Sequence, residues 1–323
     1  MLEAFIALVV TFLLAPLMIR LGKILRIQGV DVHKPWRPLI PKTGGLAIVI
    51  GVALGVLTMV YVHGDMIGLP ILLSCLIASA IGLIEDVKGE INPRLKPFLL
   101  VFASLPILVS GAFTPRPVIP FLGKTRLYKV YPLMVMAAYP IVCNAVNSVD
   151  VLNGSMILTS LPFFAMSLII FYLRGDYMVF IIALILLTSL LALYPYNRYP
   201  ARVFIGNSGS LFVGAAMASI AIVGRLEIAA IIALLPQIMN EMHVIFSLGG
   251  IKSAKYVEKR PINVENGFLT ASKDKNAPIT LLRMLCAEAK VDEKSAVYAM
   301  ALISIFTAAL GLITDLVFIE GVM

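Results

Sequence analysis

Long apolar segments alternate with short polar ones along almost the whole chain. A helix crosses the hydrocarbon core of a bilayer with roughly 20 apolar residues, and ten segments approach that length. They span approximately residues 2–24, 43–62, 66–84, 97–112, 131–146, 156–173, 177–194, 211–223, 228–248 and 295–318. The pattern predicts an all-α, polytopic membrane protein with about ten transmembrane helices.

Composition agrees with this class. Of the 323 residues, 60% are hydrophobic and 14% are charged, whereas a soluble globular chain carries about 25% charged residues. The net charge of +8 raises the question of nucleic acid, but the distribution of the charges argues against such a partner. Cys75, Cys143 and Cys286 are scattered through apolar runs and suit neither a disulfide framework nor a zinc site.

Lysine and arginine residues indicate how the chain is oriented. The first segment carries Glu3 near its start and Arg20 and Lys23 at its end, which favours a retained first span with its N-terminus outside. With this orientation, 20 of the 26 basic residues fall in cytoplasmic loops, as the positive-inside rule requires. We therefore expect a multi-pass cell-membrane protein whose site faces the cytoplasm.

Two polar segments interrupt the pattern without forming a separate domain, so we expect residues 1–323 to form a single integral membrane domain. Residues 113–130 resemble a small extracytoplasmic hairpin that turns at Leu122-Gly123-Lys124. Residues 250–294 predict a cytoplasmic flap. Its basic character alternatively serves only to hold the loop against anionic lipid headgroups.

The polar stretch at residues 144–154 (NAVNSVDVLNG) is unusual in so apolar a chain. Asn144 and Asn147 are three positions apart and share one helix face, and Asn153-Gly154 predicts a turn or helix cap. Placing amide groups beside hydrocarbon is unfavourable in free energy unless the groups are hydrogen-bonded or bind a ligand. Interhelical hydrogen bonding would explain one asparagine, but three of them together with Asp150 favour a functional site.

Adjacent acids end the third apolar segment, within residues 82–96 (GLIEDVKGEINPRLK). Glu85 and Asp86 suit a divalent metal or a general base whose pKa is raised. The alternative is an acidic helix end that pairs with Lys88, Arg94 or Lys96.

Glycines mark two further loops on the same side. Gly44 and Gly45 in residues 31–45 predict close backbone approach or tight helix packing, although a plain basic loop explains the composition equally well. In residues 202–210 (RVFIGNSGS), Gly206 and its neighbours leave backbone amides free at a helix N-terminus, which favours phosphate. Phe204 beside them could stack on a base or pack in lipid.

These four loops together describe one site with acids, amides, glycines and lysines. Acids and phosphate-binding glycines imply a phosphate substrate that is bridged by a metal ion. Since the site lies at the membrane edge, the second substrate is expected to be a lipid.

The order of these motifs resembles the polyprenyl-phosphate N-acetylhexosamine-1-phosphate transferase family over nearly the whole chain. Glu85-Asp86, the Asn-x-x-Asn stretch at Asn144 and the loop at residues 204–210 carry the resemblance. Pro236-Gln237 followed by Asn240 is similar to the archaeal and eukaryotic UDP-GlcNAc:dolichyl-phosphate GlcNAc-1-phosphate transferase branch.

The resemblance implies transfer of GlcNAc-1-phosphate from UDP-GlcNAc to a polyprenyl, dolichyl-like phosphate, with release of UMP, in lipid-linked glycan assembly. It implies Mg²⁺ as the cofactor, with Mn²⁺ as an alternative, and leaves a homodimer open. By position it implies catalytic roles for Asp86, Glu85, Lys96 and Asp150, metal binding by Asn147 and Asn207, and substrate binding by Asn144, Asn153, Phe204, Gly206, Ser208, Lys273 and Lys275.

Departures from the family pattern affect the charge of this site. Glu85 stands where the family usually has aspartate, and Asn207 replaces the metal-binding aspartate of the glycine loop. Either Glu85, Asp86 or Asp150 compensates, or the metal binds more weakly. Lys273 and Lys275 stand in for a late loop that is usually rich in histidine or arginine.

Two alternatives remain at this point. One is the same reaction with another UDP-sugar, because no feature of the sequence indicates which sugar is bound. The other is a secondary transporter in which Asn144, Asn147 and Glu241 line a pathway. Transporters commonly have internal repeats and a site near the bilayer midplane. The sequence has no visible repeat, and its polar motifs cluster at one face, which favours the enzyme.

Overall fold

The structure is a computed structural model that describes residues 1–34, 36–252 and 259–318. Its helices are α1 (Leu2–Ile24), α2 (Gly44–His63), α3 (Gly68–Lys88), α4 (Leu95–Val101), α5 (Leu105–Ser110), α6 (Tyr131–Ser148), α7 (Ser155–Arg174), α8 (Tyr177–Asn197), α9 (Gly206–Val223), α10 (Glu227–Ala233), α11 (Leu235–Ser247), α12 (Leu281–Leu285) and α13 (Glu293–Phe318). Its short strands are β1 (Gln28–Val30), β2 (Leu39–Pro41), β3 (Val118–Ile119), β4 (Gly123–Lys124), β5 (Ile262–Glu265), β6 (Phe268–Ala271) and β7 (Val291–Asp292). The all-α, multi-pass class is confirmed.

The predicted count of ten spans is not confirmed. Within the described ranges, seven helices are long and apolar enough to cross a membrane, and α10 with α11, bent by 64°, makes eight. The segment Leu95–Ser110 is shorter and passes through a 3-10 turn at Phe102–Ser104. Helix α6 carries Asn144 and Asn147, whose amides lower its hydropathy. The two segments missing from the count therefore lie beside the polar motifs.

Helix α9 lies at the centre of the bundle, and 83% of its apolar window is buried. Helices α2, α3 and α6 pack around it. Two glycines let the neighbouring backbones approach, because a Cβ atom on Gly45 would lie 2.3 Å from the Cα of Gly209, and one on Gly82 would lie 2.3 Å from the carbonyl oxygen of Asn207. The close approach predicted for Gly45 is confirmed, and it fixes the N-terminus of α9 against α2 and α3.

The two polar segments form small antiparallel sheets. In residues 113–130, β3 pairs with β4, which confirms a hairpin. The turn precedes Gly123, because Gly123 and Lys124 themselves form β4. In the predicted flap, β6 lies between β5 and β7. The flap has its own apolar cluster, in which Leu269 and Leu282 pack with Leu152 of the 144–154 stretch. This contact joins the flap to the candidate site.

Candidate active site

Two cavities open where α3, α6, α9 and the β1–β2 hairpin meet. The smaller, which we call the polar cavity, encloses about 230 Å³ and is lined by residues that include Asp31, His33, Lys42, Asp86, Asn147, Asp150, Asn153, Phe204, Gly206 and Asn207. The larger, which we call the apolar groove, encloses about 1220 Å³, and its wall includes Lys96, Pro97, Ala137, Pro140, Ile141, Asn144, Ile238, Glu241 and Met242. All four motifs contribute to the polar cavity, so their predicted convergence is confirmed.

Four residues line both cavities, and we call this set the seam: Lys42, Asp86, Asn147 and Asn207. The seam brings together one cation, one carboxylate and two amides. Since it separates a polar space from an apolar one, groups bound in either space can reach it.

Asp86 caps the N-terminus of α9 from another helix. Its Oδ1 accepts the backbone N–H of Asn207 at 3.0 Å and the side-chain Nδ2 of Asn207 at 3.2 Å, and its Oδ2 accepts the backbone N–H of Ser208 at 2.9 Å. A carboxylate is favourable at this end of a helix dipole. The prediction that these amides are free for phosphate is therefore wrong. Ser208 is buried and lines neither cavity, whereas Gly206 lines the polar cavity.

A buried hydroxyl orients Asn147. The Oγ of Ser210 donates to the Oδ1 of Asn147 at 2.7 Å, and Ser210 is completely buried. An amide oxygen has two lone pairs, so this bond leaves one of them for another partner. Ser210 thus fixes the amide at the seam.

Glu85 and Lys96 form an ion pair in the wall of the apolar groove. Lys96 Nζ lies 2.8 Å from Glu85 Oε2, and both side chains are largely buried. For Glu85, this ion pair confirms the alternative that the sequence left open, in which an acid at the helix end pairs with a nearby lysine. Its neighbour Asp86 faces α9. Glu241 lines the same groove. The adjacent acids therefore have separate partners and do not form a paired carboxylate site.

Asn153 belongs to a buried network that joins the first hairpin to α13. Its backbone N–H donates to Glu293 Oε1 at 3.0 Å, and its Nδ2 donates to Asp31 Oδ2 at 3.2 Å. Lys34 pairs with both acids. These bonds use the backbone N–H and one N–H of Nδ2, and Asn153 lines the polar cavity, so its side-chain carbonyl oxygen and its second Nδ2 hydrogen are open to a ligand.

Asp150 and Lys42 supply a carboxylate and an ammonium to the wall of the polar cavity. Burial, together with the nearby charge of Asp86, raises the pKa of Asp150 to about 7, and the charge of Lys42 opposes this increase. Within the described ranges, the Asp150 carboxylate accepts no hydrogen bond, and Lys42 forms no ion pair, unlike Lys34 and Lys96. Both groups are available to a ligand.

Two further predicted substrate contacts, Phe204 and Asn144, line different cavities. Phe204 is half-buried and lines the polar cavity. Asn144 lines the apolar groove instead, and its Nδ2 donates to the Pro140 carbonyl of its own helix at 2.9 Å. Asn144 and Asn147 therefore both line the apolar groove, and of the two it is Asn147 that also lines the polar cavity.

Lys273 and Lys275 are not brought to the site. Both are exposed, and neither lines the two cavities. Their loop is held by Arg283, whose guanidinium donates to the carbonyl oxygens of Ser272 at 2.8 Å and Asp274 at 2.9 Å. Phosphate binding by these lysines stays a prediction, and Arg283 is the basic residue that holds their loop by hydrogen bonds.

The Pro236-Gln237 and Asn240 signature has a structural explanation. Asn240 Nδ2 donates to Ser148 Oγ at 2.9 Å, and its Oδ1 accepts the backbone N–H of Leu281 at 2.8 Å. Gln237 Nε2 donates to the carbonyl oxygen of Thr159 on α7 at 2.9 Å. Asn240 thus connects the flap to Ser148, which is the last residue of α6 and directly follows Asn147.

Several site residues were not singled out from the sequence: Asp31, Lys34, Lys42, Ser210 and Glu293. Asp31, Lys34 and Lys42 lie in a loop that was noted only for its glycines and basic charge. Ser210 lies inside the glycine motif. Glu293 gives no local signal, since its partner Asn153 is 140 positions away.

Oxygen ligands for a metal ion are available at the cavities. Asn207 uses its Nδ2 for Asp86, which turns its amide oxygen away from that carboxylate, and Asn147 and Asp150 supply further oxygens. Within the described ranges, no three acidic, histidine or cysteine residues cluster as a metal site. Mg²⁺ commonly binds one or two carboxylates together with substrate phosphates. The residues fit Mg²⁺ on condition that substrate oxygens complete the coordination.

The fold and the site define a multi-pass membrane protein with a polar site at its helix ends. A family model described as glycosyl transferase family 4 matches residues 68–225. Proteins of Saccharolobus solfataricus and Sulfolobus acidocaldarius, each named as a proposed UDP-N-acetylglucosamine–dolichyl-phosphate N-acetylglucosaminephosphotransferase, are 29% and 30% identical over 249 and 250 residues, which cover 74% of this chain and 76% of each relative. A phospho-N-acetylmuramoyl-pentapeptide-transferase of Clostridium botulinum is 28% identical over 248 residues, covering 73% of this chain and 75% of the relative. The chain belongs to glycosyl transferase family 4.

Proposed function

We propose that this protein transfers GlcNAc-1-phosphate from UDP-GlcNAc to a polyprenyl, dolichyl-like phosphate and releases UMP. The names of the two archaeal relatives support this substrate pair. The observation that carries the proposal is the seam, where Lys42, Asp86, Asn147 and Asn207 face both a polar cavity and an apolar groove. A reaction between a water-soluble and a lipid phosphate needs this arrangement.

The polar cavity is the proposed donor site. Phe204 offers a ring face to the uracil, and the carbonyl oxygen of Asn153 can accept the N–H of the base. The nucleotide then extends its diphosphate toward the seam, where Lys42 is the available cation. Lysine binds phosphate as a point charge, so it tolerates the movement of charge as the diphosphate is cleaved.

The apolar groove is the proposed acceptor site. Proline, isoleucine and methionine side chains line the groove and suit an isoprenoid chain. Lys96 is held in this groove by Glu85, so its ammonium can meet the lipid phosphate while its charge stays partly neutralised. Together the two sites bring both phosphates to the seam.

The chemistry is a direct displacement at phosphorus. A non-bridging oxygen of the lipid phosphate attacks the phosphorus that carries GlcNAc, and the bond from that phosphorus to the bridging oxygen breaks. UMP leaves with the bridging oxygen and the electron pair of the broken bond. The lipid phosphate is ionised at neutral pH, so no strong base is needed. Since both Asp86 oxygens are bonded to α9, Asp86 acts by positioning.

Mg²⁺ bound by Asn147, Asn207 and Asp150 would neutralise the diphosphate and help UMP to leave. The protein offers this ion one free carboxylate, Asp150, and two neutral amides. Metal affinity should therefore be low without nucleotide and should rise when the diphosphate contributes oxygens.

The proposed site faces the cytoplasm. The topology expected from the sequence puts 20 of the 26 lysines and arginines on the same side as the four motifs, and the positive-inside rule assigns that side to the cytoplasm. Labelling of a single cysteine introduced at exposed Lys275 in intact cells and in broken membranes tests the orientation. Reaction only after the cells are broken is expected.

The deciding experiment uses purified protein, several UDP-sugars and a polyprenyl phosphate, with mass analysis of the lipid product and measurement of UMP. A lipid GlcNAc-diphosphate formed only with Mg²⁺ or Mn²⁺ is expected. Product from a different UDP-sugar would correct the donor, and substrate counterflow in liposomes without a covalent product would favour transport.

An asparagine pair provides the matched control for that assay. Asn147→Ala removes an amide from the seam and should abolish UMP release. Asn263→Ala changes an exposed asparagine on β5, outside both cavities, and should leave the rate unchanged. Equal activity of the two variants would contradict the proposed site.

A further inference from the structure

A third cavity lies beside the candidate active site, between the end of α8, residues 198–202 and the first turns of α13. It encloses about 520 Å³, and its wall includes Arg198, Arg202, Lys294, Tyr194, Tyr199 and Tyr298. It shares Asn153 with the polar cavity but none of the seam residues. The proposed reaction uses none of its three cations, so the cavity needs its own explanation.

The net charge of this cavity is positive. Among the described residues that line it, none carries a carboxylate. The nearby acids Asp31 and Glu293 are buried and share one cation, Lys34, so they set a single surplus negative charge against the three positive charges of the wall. Within the part of the chain that the structure describes, no acid forms an ion pair with Arg198, Arg202 or Lys294. These three cations therefore favour an anionic ligand in the cavity.

Aromatic rings hold two of these cations at the cavity wall. The Arg202 guanidinium lies 4.7 Å from the ring centroid of Tyr196, and the Lys294 ammonium lies 5.3 Å from that of Tyr199. Contacts of this kind position a cation without neutralising its charge. The cations are thus partly ordered before a ligand arrives, which reduces the entropy lost on binding.

The cavity opens where two membrane-spanning helices end. Helix α8 ends at Asn197 and α13 begins at Glu293, so the charged groups lie at the level of the lipid headgroups. Basic pockets between transmembrane helices at this level are suited to anionic headgroups, and tyrosine is frequent there.

Exposed apolar side chains continue from the cavity toward the membrane interior. On α8, Leu191 is 44% exposed, and on α13, Leu302 and Ile305 are 65% and 53% exposed. Leu302 follows Tyr298 by four positions and Ile305 by seven, so the three share one face of α13. Acyl chains that extend from the cavity would meet this face. A soluble anion would make no contact with it.

We propose that this cavity binds the phosphate-bearing headgroup of an anionic membrane lipid. Arg198, Arg202 and Lys294 donate to the phosphate oxygens, the tyrosine hydroxyls contact the glycerol region, and Leu302 and Ile305 contact an acyl chain. The turn that carries Asn153 forms part of the same wall, because Gly154 (φ +87°) approaches Tyr194, whose ring would lie 3.1 Å from a Cβ atom there. Lipid binding here therefore supports one wall of the polar cavity.

The test measures lipid retention and needs no turnover, so it is independent of the proposed reaction. Purified full-length protein is equilibrated with mixed micelles of phosphatidylglycerol and phosphatidylcholine with identical acyl chains, and retained lipid is counted by native mass spectrometry. The wild type should retain phosphatidylglycerol in preference. In the triple variant Arg198→Gln/Arg202→Gln/Lys294→Gln, retention should weaken about fivefold for each cation removed.

A control variant separates this cavity from general surface charge. Arg126→Gln/Lys129→Gln/Lys273→Gln removes three exposed cations that lie outside the cavity and should retain phosphatidylglycerol as the wild type does. Equal retention by the two triple variants would overturn the proposal. If the first variant proves unstable, the single change Lys294→Gln, at an exposed position, should still weaken retention about fivefold.

A soluble anion is distinguished by competition. Inorganic phosphate and glycerol phosphate are added up to millimolar concentration to the wild type loaded with phosphatidylglycerol. Retention that is unchanged supports a lipid site. Displacement of phosphatidylglycerol by either soluble anion within this concentration range would show that the cavity takes a soluble phosphate and would overturn the lipid assignment.

Discussion

Asp86 Oδ1 lies 3.0 Å from the backbone nitrogen of Asn207, although the two residues are 121 positions apart in the chain. The same carboxylate also accepts the Asn207 side chain and the backbone N–H of Ser208. An acid at the end of α3 therefore sets the start of α9 and the orientation of one seam amide. Its effect on the reaction should be exerted through Asn207.

Replacing Asp86 tests this positioning role. Asp86→Asn keeps an acceptor but loses the charge that interacts with the α9 dipole and one of the acceptor oxygens. We expect a stability loss of about 1–2 kcal/mol and a much larger loss of UMP release. Thermal unfolding and initial rates measure the two effects. Asp65→Asn is the matched control, since Asp65 accepts the N–H of Ile67 far from the site and should affect the rate little.

Asn207→Asp introduces the negative charge that the family resemblance implies for the metal-binding position of the glycine loop. Asn207 Nδ2 lies 3.2 Å from Asp86 Oδ1, so a second carboxylate there would repel Asp86 until a cation separates them. Without Mg²⁺ the variant should unfold at a lower temperature than the wild type. With Mg²⁺ and UDP it should gain more stability than the wild type does, and its apparent metal affinity should rise about tenfold.

A thermal-shift titration with Mg²⁺, with and without UDP, measures that difference. Ca²⁺-free conditions and an equal ionic strength of NaCl control for screening. If the variant and the wild type respond equally to Mg²⁺, position 207 does not face the metal and the proposed ligand set is incorrect.

The sequence predicted most of the helices but not the contacts between the motifs. The apolar pattern located the spans within a few residues, yet it started the eighth segment at residue 211, whereas α9 begins at Gly206. Polar residues 206–210 can be helical because Asp86 satisfies the first amides. Hydrophobic periodicity contains no information about a cap that comes from 121 positions away. For the same reason it could not pair Asn153 with Glu293.

Ser210 should affect catalysis through Asn147. Ser210→Ala removes the donor at 2.7 Å and lets the amide rotate, so we expect a stability cost of about 1 kcal/mol and a fall of about tenfold in kcat with a higher requirement for Mg²⁺. Ser219→Ala is the control, because Ser219 is equally buried on α9 and contacts Tyr139. It should show the stability cost without the changed Mg²⁺ requirement.

Lys42 should bind the diphosphate at the seam. Lys42→Met keeps the apolar stem and removes the ammonium, and we expect KM for UDP-GlcNAc to rise and kcat/KM to fall at least about tenfold, as loss of a charged hydrogen bond of about 1.5–3 kcal/mol predicts. Lys42→Arg should recover part of the activity. Steady-state kinetics over both substrates are the measurement.

A substitution at Gly29, which lies beside Lys42, tests the same role indirectly. A Cβ atom on Gly29 would lie 2.5 Å from the Cε atom of Lys42, so Gly29→Ala should displace the side chain and raise KM in the same direction as Lys42→Met. In the Lys42→Met background, Gly29→Ala should add little. Independent effects of the two changes would show that Gly29 acts on something other than Lys42.

Arg283 should stabilise the flap, whereas the lysines of its loop should not. Arg283 contacts the carbonyl oxygens of Ser272 and Asp274 with one terminal nitrogen and those of Ala277 and Pro278 with the other. Arg283→Lys keeps the charge but offers a single nitrogen, so the flap should lose roughly 1–3 kcal/mol of local stability. Lys273→Ala/Lys275→Ala removes two exposed charges and should leave both stability and UMP release near wild type. Hydrogen exchange across residues 262–292 with parallel rate measurements distinguishes the two variants. A large fall in the rate of UMP release for the lysine variant, with unchanged hydrogen exchange, would show that these lysines bind the substrate.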